Sequence, residues 1–107
     1  MISIAIIGLG TFGCRVLEEL IPTSADLIIL DKDREIVEKY KKSVVNAYIT
    51  DAINEETLRK IIPVNLTAAI VDMGNQLETS ILVTNHLKKI GVNKIIVPMF
   101  DARRKNV

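Results

Sequence analysis

A run of apolar, mostly β-branched residues, Ile2-Ser3-Ile4-Ala5-Ile6-Ile7, leads without a break into Gly8-Leu9-Gly10-Thr11-Phe12-Gly13 and then into helix-like sequence from Cys14 to Ile21. Few folds accept that order. A strand, Gly-x-Gly-x-x-Gly and a helix in succession form the phosphate-binding half of a dinucleotide-binding βαβ unit. Gly8 would let the chain turn tightly out of the strand. A side chain at Gly10 would block the backbone's approach to a pyrophosphate. Gly13 would let the helix pack closely on the strand, with its free N–H groups and dipole aimed at the phosphates. The glycines alone are a weak signal, because a plain surface turn also uses them. The strand before them and the helix after them point to a nucleotide.

The second half of the unit agrees. Asp26-Leu27-Ile28-Ile29-Leu30 reads as a second apolar strand with Asp31 at its C-terminal end, eighteen residues after Gly13. An acid about 20 residues beyond the glycines is the group that binds a ribose diol. A carboxylate there accepts from the 2′- and 3′-hydroxyls and repels a 2′-phosphate, so NADP is disfavoured. It does not separate NAD from ATP, ADP or AMP, which carry the same free diol. Asp31 could instead cap the next helix, but Asp33 is better placed for that.

Composition narrows the class. At 107 residues the chain is expected to be a single domain, and 49% apolar content with no tryptophan suits an Ile/Val/Leu core between a parallel sheet and helices. Fourteen basic against thirteen acidic residues leave a net charge of +1, which gives no field for nucleic acid. The Arg103-Arg104-Lys105 cluster reads as a solvated tail. One cysteine fits a reducing cytosol, and the opening apolar run is too short to span a bilayer, so the expected location is cytoplasmic.

Helices are predicted over Thr11–Ile21, ended by Pro22, and Arg34–Lys42, with Ile36, Val37 and Tyr40 as its apolar stripe. Val44–Ile49 reads as the third strand. Asn54 caps a short helix Glu55–Ile62, closed by Pro63. Leu66–Met73 contains the fourth strand, Gln76–Ile90 the longest helix with Gly91 as its C-cap, and Asn93–Val97 the fifth strand. Five strands alternating with helices predict an α/β, Rossmann-like doubly wound parallel sheet in three layers, strand order 3-2-1-4-5. Gly8 to Gly13, Asp31, Asp51 and Gly74 would then share the C-terminal edge of the sheet. On the long helix, Leu77, Ile81, Val83, Leu87 and Ile90 are expected to face the core, with Leu82 outside.

The glycine motif, the Leu30-Asp31-Lys32-Asp33 turn, Thr50-Asp51-Ala52, Met73-Gly74-Asn75 and Glu78-Thr79-Ser80-Ile81-Leu82 occur together in order. In this the chain resembles the N-terminal nucleotide-binding domain of RCK proteins, regulators of potassium conductance, including Trk/Ktr-type subunits of potassium uptake systems. The resemblance spans about residues 2 to 98. It implies binding of NAD(H) or ATP, ADP or AMP. It also implies assembly as a homodimer or larger ring, and control of a membrane potassium channel or transporter subunit from the inner face of the membrane. It places Gly8, Gly10, Thr11, Phe12 and Gly13 at the phosphates and Asp31 with Lys32 at the ribose. Asp51 and Ala52 would lie beside the adenine, and Met73, Gly74, Asn75 and Glu78 near the middle of the ligand.

The chain also departs from the family. Many Ktr-type members carry an arginine inside the glycine motif where this chain has Thr11, and an acid after the fourth-strand glycine where it has Asn75. Family members continue with a further helix, strand and crossover helix, so a truncation after the fifth strand, with a 99–107 tail, is expected. No catalytic set stands out. His86, in mid-helix, reads as surface or interface, and Cys14 as a small residue packed on the sheet. The predicted role is therefore regulatory binding rather than catalysis. The alternatives are the cofactor half of an NAD-dependent dehydrogenase and a nucleotide-binding subunit with no switch.

Overall fold

The computed structural model describes residues 1–98. The Arg103-Arg104-Lys105 cluster and the expected 99–107 tail lie outside them. Five strands, β1 (Ser3–Ile7), β2 (Asp26–Asp31), β3 (Asn46–Ile49), β4 (Ala68–Val71) and β5 (Ile95–Ile96), form one sheet in the order β3-β2-β1-β4-β5. Every pairing is parallel, as the alternation of strands and helices requires. The central strand β1 pairs on both sides, Ile6 lying opposite Ile29 on one neighbour and Ile70 on the other.

Alternate residues of β1 feed opposite faces. Ile6 packs with Leu17 of α1 (Thr11–Leu20) and with Val37 and Tyr40 of α2 (Arg34–Tyr40). Ala5 and Ile7 pack with Leu58 of α3 (Glu55–Ile61) and with Val83 and Leu87 of α4 (Leu77–Ile90). A strand covered on both faces has no polar side to offer, which is why β1, β2 and β4 are near-continuous apolar sequence. No helix among the described residues is long and apolar enough to cross a membrane.

Caps act where the residue chemistry expects them. Asp33 accepts from Glu35 N–H at 3.0 Å and Asn54 from Thr57 N–H at 3.2 Å. Gly91 closes α4 at φ +106°, the left-handed position that glycine enters most easily. Some bounds differ from the sequence pattern. The second helix stops at Tyr40 and tightens into a 3₁₀ turn, Lys41–Ser43, and β3 begins at Asn46 rather than Val44. β5 shrinks to two residues, paired with Ala69 and Ile70 of β4.

The larger correction concerns α4. Leu77 and Ile81 are 72% and 52% exposed, not core, while Ser80 is buried. Ser80, Val83 and Leu87 define the buried face. At 100° per residue Leu77 lies about 90° and Ile81 about 130° from its centre. A helix buries a direction, and these two leucine-like residues point elsewhere.

Tyr40 ties the two helices on its face together, donating its hydroxyl to Glu18 Oε2 at 2.5 Å. That bond to a carboxylate, with burial second, pushes the phenol well above its usual 10.0. The folded state therefore holds the Tyr40 proton more tightly than the unfolded chain. Stability from this source is fully present below pH 10 and is lost as pH rises toward the folded-state value. Urea midpoints measured from pH 9 to 11.5 should fall with a slope that Tyr40→Phe reduces. Identical slopes in the two proteins would remove the assignment.

Candidate functional site

The C-terminal edge of the sheet is drawn tight by backbone bonds that run past the strand ends. Gly8 N–H donates to Leu30 C=O at 2.8 Å, Asp72 N–H to Ile7 C=O at 2.8 Å, and Thr50 N–H to Asp31 C=O at 3.0 Å. The loops after β1, β2, β3 and β4 consequently emerge side by side. Strand order reverses between β1 and β4, where the two crossovers leave in opposite directions and open a crevice. An open cleft of about 370 Å³ lies along this edge.

The glycine loop forms its floor. Gly8 has φ +93°, and a Cβ there would run into the Asp72 carbonyl. At Gly13 a Cβ would meet the Gly8 carbonyl, so helix and strand are packed as closely as the motif predicts. Gly10 carries a second constraint besides the one expected of it. The first obstacle for a Cβ there is the Asp72 carboxylate, with Oδ2 at 2.6 Å, even with no ligand present.

Asp72 is the residue that sequence reasoning missed. It follows β4, is 6% exposed, and accepts from Gly13 N–H at 2.8 Å and from Gly74 N–H at 3.0 Å. α1 has no acidic residue in its own first turn. Asp72 supplies that acid from 59 residues away, bonded to one of the helix's N-terminal amides, that of Gly13. The Gly13 N–H expected to face a phosphate is thus already engaged. One signal was present in the sequence: an acid directly after the apolar run Ala68-Ala69-Ile70-Val71.

Asp31 stands at the end of β2 beside the loop. Its Oδ2 accepts from Leu9 N–H at 2.7 Å and its Oδ1 from Asp33 N–H at 2.8 Å. Each carboxylate oxygen keeps lone-pair capacity for another donor. Asp33, not Asp31, caps α2. Across the cleft Asp51 makes a local turn, accepting from Ile53 N–H at 3.2 Å, and Ala52 is buried behind it.

Of the residues singled out from sequence, Gly8, Gly10, Asp31, Lys32, Asp51, Ala52 and Met73 line this cleft. Thr11, Phe12 and Gly13 start α1 just beyond the floor, and Gly74, Asn75 and Glu78 are exposed on the turn and first turn of α4. These six do not form its wall. Leu9, Thr50, Ile53, Gln76 and Thr79 do, alongside Asp72.

His86, expected at the surface or an interface, makes contacts within the chain. It is partly buried, with Nε2 3.0 Å from Ile53 C=O in the cleft-lining turn and Nδ1 3.3 Å from Glu55 Oε1. On α4 it flanks the buried face toward α3 and so braces the Asp51–Ile53 turn. Glu55 is held below the usual carboxylate range, chiefly by Arg59, whose Nη2 lies 2.9 Å away. Cys14 is half-buried against the α1–α2 core and points its thiol at Leu9 C=O, 3.4 Å away. Burial pushes its pKa up, against the reactive thiolate that a helix start favours.

The TrkA-N domain family model matches residues 4–107. The chain is 34% identical over 93 residues to the Ktr system potassium uptake protein C of Bacillus subtilis, and 28% identical over 97 residues to the Ktr system potassium uptake protein A of Vibrio alginolyticus. These alignments cover 87% and 91% of the chain but only 42% and 44% of the relatives. Among solved structures it resembles the NAD(P)-binding domain of an exopolyphosphatase-related protein from Archaeoglobus fulgidus. That match has a TM-score of 0.79 at 19% identity, covering 99% of this chain and 79% of the other. It also resembles saccharopine dehydrogenase from Saccharomyces cerevisiae, with a TM-score of 0.74 at 10% identity over 99% and 24%. At such identities the structures speak for the fold alone.

Proposed function

We propose, from the premise that this chain belongs to the TrkA-N domain family, that it is a regulatory module of a potassium uptake system which binds NAD(H) or an adenine nucleotide. The observation that carries the reading is the convergence of the glycine loop, Asp31 and the Asp51-Ala52 turn on one cleft at the reversal of strand order. In this reading the Gly8–Gly10 backbone faces the phosphates and Asp31 takes the ribose diol. Asp51 accepts from the exocyclic amine of adenine, Ala52 leaves room for the ring, and Met73 covers the middle of the ligand. The Asp31 carboxylate disfavours the 2′-phosphate of NADP. Phe12, Thr11, Gly74, Asn75 and Glu78 meet ligand only where it extends past the cleft.

The Ktr relatives are potassium uptake proteins. By that likeness the module acts on a membrane potassium channel or transporter subunit, as a homodimer or larger ring. Exposed Leu77, Ile81 and Leu82 on α4 offer apolar surface for such assembly. A binding role is favoured over dehydrogenase chemistry by how the cleft's acids are used. Asp31, Asp51 and Asp72 all accept backbone N–H groups, which holds them as fixed acceptors.

Thermal melts of the chain with NAD⁺, NADH, NADP⁺, ATP, ADP and AMP test this. A ligand specific for the folded state at a hundred times its Kd adds about 2.7 kcal/mol, which moves the melt of a domain this size by roughly 10 °C or more. At least one ligand with a free 2′-hydroxyl should do so, and NADP⁺ should not. Six flat titrations would leave a fold without the binding.

A further inference from the structure

We infer that Asp72 is a specificity-determining residue that makes the glycine loop discriminate against ligands of high phosphate charge. The inference rests on the nucleotide-binding reading of the same cleft and adds what that cleft prefers. A Rossmann-type loop ordinarily presents unpaired amides and the positive end of a helix dipole to a phosphate. Here a carboxylate reaches that place first. Asp72 bonds Gly13 N–H at 2.8 Å, lies against Gly10, and lines the cleft, where it is only 6% exposed.

Two consequences follow from the charge. One of the N-terminal amides of α1, that of Gly13, is used up, and the helix dipole is partly neutralised by a fixed anion. A phosphate that approaches Gly10 also meets a like charge in a partly desolvated setting, where screening is weak. Each further phosphate charge adds to that repulsion. No basic residue of the first turn of α1 offsets it, since Thr11 and Phe12 are neutral. Among the described residues Lys32 is the one cation lining the cleft, and it is exposed on the loop after β2. The adenine and ribose contacts lie across the cleft at Asp31 and Asp51 and carry no such penalty. Ligands with one phosphate are therefore favoured relative to di- and triphosphates.

The test is isothermal titration of the 107-residue chain and of Asp72→Asn with adenosine, AMP, ADP and ATP. Asparagine keeps an oxygen to accept Gly13 N–H and removes the charge. The affinity for ADP relative to adenosine should rise at least tenfold in Asp72→Asn, and that for ATP more. A ratio that stays level or falls, with adenosine still bound, overturns the role of Asp72 and leaves the nucleotide reading intact. Failure of both proteins to bind any of the four ligands overturns the inference, and if the NAD⁺ and NADH melts are flat as well it overturns the nucleotide reading with it. Unliganded melts report whether the variant folds. If Asp72→Asn does not, Asp72→Ser carries the same comparison with a shorter acceptor.

Discussion

Gly13→Ala should lower the stability of this protein by about 3 kcal/mol, although alanine at a helical position normally adds up to about 1 kcal/mol over glycine. The sign reverses because of where α1 sits. The added Cβ would fall on the carbonyl oxygen of Gly8, a residue whose own N–H is bonded to Leu30 C=O on β2. Neither atom belongs to a flexible side chain, so the helix must lift off the strand. Lifting it would stretch the Gly13 N–H to Asp72 bond and loosen Leu17, which is fully buried beneath α1. Urea unfolding followed by circular dichroism should show the loss, with a melting temperature roughly 12–24 °C lower. A variant as stable as the parent would mean that α1 is not held against β1 as described.

Asp31→Ala should weaken nucleotide binding by about a hundredfold or more. The proposed ribose contacts are two hydrogen bonds to a charged acceptor, each worth roughly 1.5–3 kcal/mol. Asp31 has a second task, because its carboxylate also accepts from the nearly buried Leu9 N–H at 2.7 Å. The unliganded melt should therefore fall too, by roughly 1–2 kcal/mol. Asp31→Asn separates the two. It keeps an oxygen for Leu9, and its neutral amide no longer repels a 2′-phosphate, so discrimination between NAD⁺ and NADP⁺ should narrow. Undiminished ligand stabilisation in Asp31→Ala would remove the residue from the site.

Together these substitutions probe an edge whose general location could be read in advance. The Ile2–Ile7 run, the glycines after it and the spacing to Asp31 are local signals, because strand, turn and helix propensities act over a few residues. The parallel order 3-2-1-4-5 followed from the alternation of elements and the handedness of crossovers. Leu77 and Ile81 went astray because an apolar residue advertises its chemistry and not the direction in which its helix faces the sheet. His86 is a similar case, since its partners, Ile53 and Glu55, come from another helix and the turn before it.

The amino-acid sequence by itself determined the βαβ unit, the strand order, the caps at Asp33, Asn54 and Gly91, and the presence of Asp31 beside the glycine loop. Each depends on residue types within short stretches, or on topology rules that hold for any chain of this pattern. Only the tertiary structure decided which acid meets the helix that starts at Thr11. Asp72 reaches Gly13 across 59 residues because β1 and β4 are neighbours in the sheet and end level with one another. Hydrogen bonds and charge repulsion act over a few ångströms of space, and no spacing along the chain encodes that distance.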